Sequence, residues 1–179
     1  VNVNSGTASV ADINTINADS ATGIVTATAT ETAAATLVGL TTTGTDAITV
    51  TMAAASTAAA DLNTIDGKTS VAVGATAITE LTGNATNIKT ALASSGITTV
   101  TNGSLAVTVS GSTSVADINT INADSATGIV TATVTSAAAS VLKGLQTDSN
   151  DAITMTVNAE ASSAATQASD LVSLNGKTN

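Results

Sequence analysis

The chain has 179 residues and a mass of 17.1 kDa, and Ala (36) and Thr (37) are its commonest residues. His, Cys, Pro, Phe, Tyr, Trp and Arg are all missing, and four Lys stand against 13 acidic residues for a net charge of -9. This inventory excludes nucleic-acid binding, which needs clustered cations and stacking rings, while 43 % hydrophobic residues exclude the charged, apolar-poor kind of disorder.

In chain order, the first predicted element is a short helix from Val10 to Ala18. Ser9 caps it, Asp12 completes a capping box, and Val10, Ile13 and Ile16 share its apolar face. The run Ile24-Val-Thr-Ala-Thr-Ala-Thr30 follows with strict alternation, Val25, Ala27 and Ala29 on one side and Thr26, Thr28 and Thr30 on the other, which is a strand pattern. A second helical piece is expected from Glu31 to Val38, with Gly39-Leu40 as a left-handed stop and its hydrophobic contact. Further strands begin near Ala47, with Ile48, Val50 and Met52 on one face, and near Val71. A helix over 85–95 ends at Gly96-Ile97, and another strand begins near Leu105. The capped helix then recurs with Ser114 and Asp117, followed by a strand near Ile129, a helical piece over 137–143 ending at Gly144-Leu145, and a strand near Ala152.

The recurrence is exact over Ser9 to Thr28, which returns unchanged at Ser114 to Thr133, an offset of 105. Pairs such as Leu37/Leu142, Gly39/Gly144, Asp46/Asp151 and Ile48/Ile153 keep that register. A diverged half-copy lies within it, since Asp61-Leu62-Asn63-Thr64-Ile65-Asp66 echoes Asp12 to Asn17, and Gly176-Lys177-Thr178 echoes Gly67-Lys68-Thr69. Strands mostly recur every 23 or 24 residues. The expected fold is therefore an α/β solenoid of stacked strand-helix coils of about 24 residues with a parallel sheet. A right-handed parallel β-helix is the alternative, disfavoured because Ala forms helices better than strands. Residues 1–179 read as one continuous stretch of a longer array, with one repeat at 9–113 and a partial one at 114–179. Ser5-Gly6 matches Ser110-Gly111, so the chain opens inside a repeat, with no leader sequence and no apolar run long enough to span a membrane.

Candidate chemistry is sparse. Glu31, Glu80 and Glu160 fall at unrelated positions and do not form the paired carboxylates of a glycosidase, and no phosphate-binding glycine motif occurs, so no catalytic residue, cofactor-binding residue or small-molecule substrate is assigned and the chain reads as a non-enzyme. Asp46, Asp148 and Asp151, with Asn150, sit in polar turns before strands; oxygen ligands of this kind suit calcium, and Asp in turns is the plainer explanation. Asn84 and Asn102 head glycosylation sequons, and Lys68 and Lys177 follow turn glycines and should be solvated. The Thr-x-Thr runs at Thr26/Thr28/Thr30, Thr49/Thr51, Thr131/Thr133/Thr135 and Thr154/Thr156 would align into a hydroxyl and methyl grid like those of ice-binding solenoids, although Thr is also simply a good strand residue.

The phrases VADINTINADSATGIVTAT, LNTIDGKTSVAV and ALASSGIT resemble the repeats of giant extracellular and cell-surface proteins of marine cyanobacteria, of the kind associated with swimming motility. That resemblance implies a secreted, filamentous or surface-coat structural role and carries over no catalytic residue. The resulting expectation is a tandem-repeat structural module of a large extracellular protein, whose partners are neighbouring repeats or identical subunits end to end. An ice-binding or calcium-stiffened adhesin solenoid is the alternative.

Overall fold

A computed structural model describes residues 1–20, 23–100, 103–124, 126–159 and 164–179. The chain begins β1 (Asn2–Ala8), α1 (Val10–Asp19), β2 (Thr26–Ala29), α2 (Ala34–Leu37), β3 (Ala47–Thr49), β4 (Ser56–Ala58), α3 (Ala59–Asp66) and β5 (Val73–Gly74). It continues through β6 (Glu80–Gly83), α4 (Ala85–Ala93), β7 (Ile97–Thr98), β8 (Leu105–Thr113), α5 (Val115–Asn122) and β9 (Thr127–Val134). The last elements are β10 (Ala137–Ala138), α6 (Ala139–Leu142), β11 (Ala152–Thr154), β12 (Val157–Asn158) and α7 (Ala164–Leu174). This is an α/β protein of alternating strands and helices with parallel, open sheets. Two compact units are distinguished: 1–79 with 90–100, and 80–89 with 101–179.

In the first unit β1, β2 and β3 pair in that order, all parallel, with Thr7 opposite Thr28 and Thr28 opposite Thr49. Thr51 bridges to Gly74, and β5 pairs with β7 through Val73 and Ile97. In the second unit β6, β8, β9 and β11 follow one another, again parallel, and β10 pairs with β12. Across these ladders the partner of a residue stands between 20 and 26 positions further along the chain. A parallel neighbour cannot be reached by a hairpin, so each step requires a crossover, which here contains a short helix.

Period-2 alternation decides the inward face. Val25, Ala27 and Ala29 are buried while Thr26 and Thr30 are exposed, and Val130, Ala132 and Val134 repeat this burial against exposed Thr131, Thr133 and Thr135. Helices add the larger side chains, with Ile13, Leu62 and Ile65 fully buried in the first unit and Ile88, Ile118 and Ile121 in the second. Each such Ile or Leu contributes about 1.5–3 kcal/mol from burial. Ile16 departs from the expected apolar face and is only half-buried, although its counterpart Ile121 is enclosed.

The caps follow the sequence more closely than the stops. Ser9 accepts from the Asp12 N–H at 3.1 Å and donates to its carboxylate at 2.7 Å, and Ser114 does the same with Asp117 at 3.1 and 2.8 Å. The expected left-handed stops at Gly39, Gly96 and Gly144 are corrected by the structure, because none of the three takes a positive φ. Instead α2 and α6 close in tight turns, Gly39 and Gly144 donating to Thr36 and Val141 carbonyls at 3.0 Å. A Cβ at either glycine would stand 3.1 Å from that same carbonyl oxygen, and at Gly96 it would overlap the Asp66 carboxylate. The helix expected over 31–38 is limited to Ala34–Leu37, and the one expected over 137–143 gives its first residues to β10.

The half-copies differ in enclosure, which sets a measurable contrast. Leu62 is fully buried, whereas its counterpart Leu171 is 48 % exposed. Leu62→Ala should therefore cost about 2–5 kcal/mol in denaturant unfolding, and Leu171→Ala under about 1 kcal/mol.

Candidate functional site

Buried polar turns immediately precede β3 and β11, and it is here that the repeated residues converge. Asp46 is 4 % exposed; its Oδ1 accepts from the Val25 N–H at 2.8 Å, and its Oδ2 accepts from the Thr43 N–H at 2.8 Å and the Thr43 hydroxyl at 3.2 Å. Asp151, equally buried, accepts from Val130 N–H at 2.8 Å and Asp148 N–H at 3.0 Å. Each carboxylate thus ties its own turn to the strand 21 residues before it. Burial would raise the Asp46 carboxyl, but hydrogen bonds from Val25 and Thr43 outweigh it and hold the group below the usual carboxylate range.

Further side chains extend the tie to the following turn. The Thr69 hydroxyl accepts from Ile48 N–H at 3.0 Å and donates to Ile48 O at 2.7 Å, taking the place of a strand residue; Thr178 accepts from Ile153 N–H at 2.7 Å. The Thr42 hydroxyl donates to Lys68 O at 2.8 Å, and that of Thr147 to Lys177 O at 2.7 Å. Both lysines are half-buried rather than fully solvated, because their backbone is held in these turns. On the helical side, Asn14 donates to Gly39 O at 2.8 Å and accepts from Thr41 N–H at 2.8 Å, and Asn119 pairs likewise with Gly144 and Gln146 at 2.9 and 2.8 Å. Asn17 and Asn122 add bonds of 3.1 Å to the Thr41 and Gln146 carbonyls. In the sequence these asparagines belong to the repeat signature and carry no assigned role. The available signal was that each recurs with its glycine partner at a constant separation of 25.

The remaining candidates serve local structure. Glu31 accepts from the first N–H of α1 at Val10 (3.0 Å) and from the Thr30 hydroxyl (2.9 Å), while Glu80 accepts from the Thr108 hydroxyl at 2.7 Å. Asn84 caps α4 by accepting from Asn87 N–H at 2.9 Å, and Asp148 accepts from Asn150 N–H at 2.7 Å. Glu160 and Asn102 lie outside the described residues. Among the described residues, no three acidic side chains converge as a metal-binding group. Lys89 pairs with Asp117, whose carboxyl is lowered chiefly by that contact and by Ser114, and Lys143 pairs with Asp170 at 2.9 Å.

Outward, the threonines form rows. Thr7, Thr28 and Thr49 stand side by side in the first unit, and in the second Thr82, Thr108 and Thr131 form one row and Ser112, Thr133 and Thr154 another. Neighbours in a row are about 4.8 Å apart across strands, and alternate residues on one strand about 6.6 Å apart. Ile24 and Ile129, 58 % and 54 % exposed, continue the Thr face of β2 and β9. Comparison of the chain with protein-family models, curated proteins and solved structures gives no match.

The buried Asp46 carboxylate makes stability acid-sensitive with a definite sign. With its folded-state pKa depressed, Asp46 binds fewer protons in the folded than in the unfolded chain, so its contribution is complete above about pH 5 and is lost as pH falls through the range below about 4. Asp46→Asn places an amide donor against a backbone donor and should cost about 1–3 kcal/mol at neutral pH. Thermal melts of both proteins between pH 2 and 7 should show a smaller acid loss for the variant.

Proposed function

We propose that the chain is a structural repeat module: a solenoid segment of a large secreted or cell-surface protein that acts as a rigid spacer, fibre or coat element. The observation that carries this reading is the ladder register, in which every parallel partner belongs to the next passage of the chain, 20 to 26 residues on. Such pairing supports successive turns wound about one axis at about 4.8 Å per turn, with stability summed over nearest-neighbour contacts. Assignment of the buried Asp and Thr side chains and the half-buried Asn side chains to holding turn on turn favours scaffolding over catalysis. The extracellular placement rests on the resemblance to giant surface-protein repeats, and the partners are further repeats of the same kind. Among the described residues, no helix is long and apolar enough to cross a membrane.

Tandem concatemers of residues 9–113 test the reading. In small-angle scattering the maximum dimension should grow by a constant increment of about 20 Å per added copy, and melting temperature should rise with copy number before levelling off. Independent tumbling of the copies, with a dimension growing as a flexible string does, would overturn it.

A second reading is favoured by the register of the Thr rows: an ice-binding face. The uncharged Thr7, Thr28 and Thr49 row and the Ser112, Thr133 and Thr154 row, with exposed Ile24 and Ile129 on the same strand faces and at spacings near the oxygen repeats of ice, fit an ordered-water surface better than a charged ligand. The purified chain should then show thermal hysteresis that Thr131→Lys with Thr154→Lys removes. Unmodified disc-shaped ice at millimolar protein would exclude this face as an ice binder.

A further inference from the structure

The two copies of the repeat close the same turn in different ways. The first brings one carboxylate, Asp46, and hydroxyls complete the turn around it: Thr43 Oγ1 donates to Asp46 Oδ2 at 3.2 Å and lies 2.8 Å from Thr45 Oγ1. In the second copy the residues corresponding to Thr43, Thr45 and Asp46 are Asp148, Asn150 and Asp151. The Asp151 oxygens still accept from Val130 N–H and Asp148 N–H, but the hydroxyl donor is gone and a second carboxylate stands in its place. Like charges in one turn oppose each other. No lysine offsets them, since the ion pairs among the described residues are Lys89 with Asp117 and Lys143 with Asp170.

Asp148, Asn150 and Asp151 line a cleft of about 430 Å³ together with Asn122 and Thr127. Several of its oxygens are uncommitted. Asp148 spends Oδ1 on Asn150 N–H, and Asn122 spends its amide nitrogen on Gln146 O; neither Asp148 Oδ2 nor Asn122 Oδ1 has a partner among the described residues. Thr127 is the independent sign that something is bound. It lines the same cleft and is only 9 % exposed, yet its hydroxyl oxygen is buried without a hydrogen-bond partner. An unpartnered buried hydroxyl is destabilising, so its place beside two carboxylates points to a partner from outside the chain.

We propose that this cleft is a site for one calcium ion, held by the Asp148 and Asp151 carboxylates with neutral oxygens of Asn122, Thr127 and Asn150. Calcium accepts about six to eight oxygens of mixed kind in flexible geometry, whereas magnesium demands a near-ideal octahedron and keeps several waters. Two carboxylates balance the ion's charge, so no third acidic residue is needed. The ion does for the second copy what the Thr43 hydroxyl does for the first, and it joins the turn before β11 to the end of α5 and the start of β9. The site lies within one unit and is independent of the solenoid reading: it stands or falls whatever the concatemers do.

Titration of the chain with calcium chloride in a calorimeter should give one site with a dissociation constant of about 0.1–1 mM, the range of extracellular modules. At about 10 mM calcium the melting temperature should rise by about 5 °C. Asp148→Thr with Asn150→Thr installs the first copy's residues, with which that turn already folds, and should weaken binding at least about tenfold while leaving the circular dichroism in chelator unchanged. Thr127→Val keeps the shape of the side chain and removes the hydroxyl. It should raise the melting temperature in chelator and lower calcium affinity severalfold, opposite effects that a purely structural hydroxyl would not produce, and it decides the matter if the double variant unfolds. Absence of binding heat, a melting shift reproduced by sodium chloride of matched ionic strength, or parental affinity in either folded variant would overturn the site.

Discussion

Small side chains impose the constraint on which the rest depends. With no aromatic residue and a core of Ala, Val, Ile and Leu, one passage of this chain cannot enclose its own backbone polar groups, and leaving such groups buried without partners costs about 1–3 kcal/mol each. The next passage must supply those partners. Strands of two to nine residues do so only in part. Where the ladder stops, side chains act as substitute backbone: Asp46, Asp151, Thr69 and Thr178 for the preceding passage, Asn14 and Asn119 for the following one.

This division of labour explains how a sequence so poor in chemical variety still specifies a register. A slip of one residue along β2 would turn Val25, Ala27 and Ala29 outward and also take Val25 N–H from the Asp46 carboxylate. The apolar pattern and the polar ties therefore enforce the same alignment. They also separate two surfaces, an interior that holds the passages together and an outward face rich in threonine.

The elements most legible in the sequence were those with repeated or alternating signals. The six strand patterns beginning near Ile24, Ala47, Val71, Leu105, Ile129 and Ala152 all contain strands, and the Ser9 and Ser114 caps form as expected. Strands such as Ser56–Ala58 and Glu80–Gly83 carry no alternation because three or four residues, in company with Gly, Ser and Ala, give periodicity too little length to register. The glycine stops were read by position alone. Gly39 and Gly144 end helices, as expected, but serve to clear a carbonyl in a right-handed turn, a distinction that depends on backbone angles. Asp46 and Asp151 were recognised as turn residues, while their burial was not, since a lone Asp among Thr and Gly reads as solvent-facing until the passage above it is placed.

The Thr42–Lys68 and Thr147–Lys177 ties are the same contact across separations of 26 and 30 residues. The four additional residues in the later copy are accommodated between fixed points without disturbing either end. Length changes between the two ties can thus differ from one copy to the other while the attachments stay intact, so a duplicated stretch within this chain tolerates slippage without losing its order.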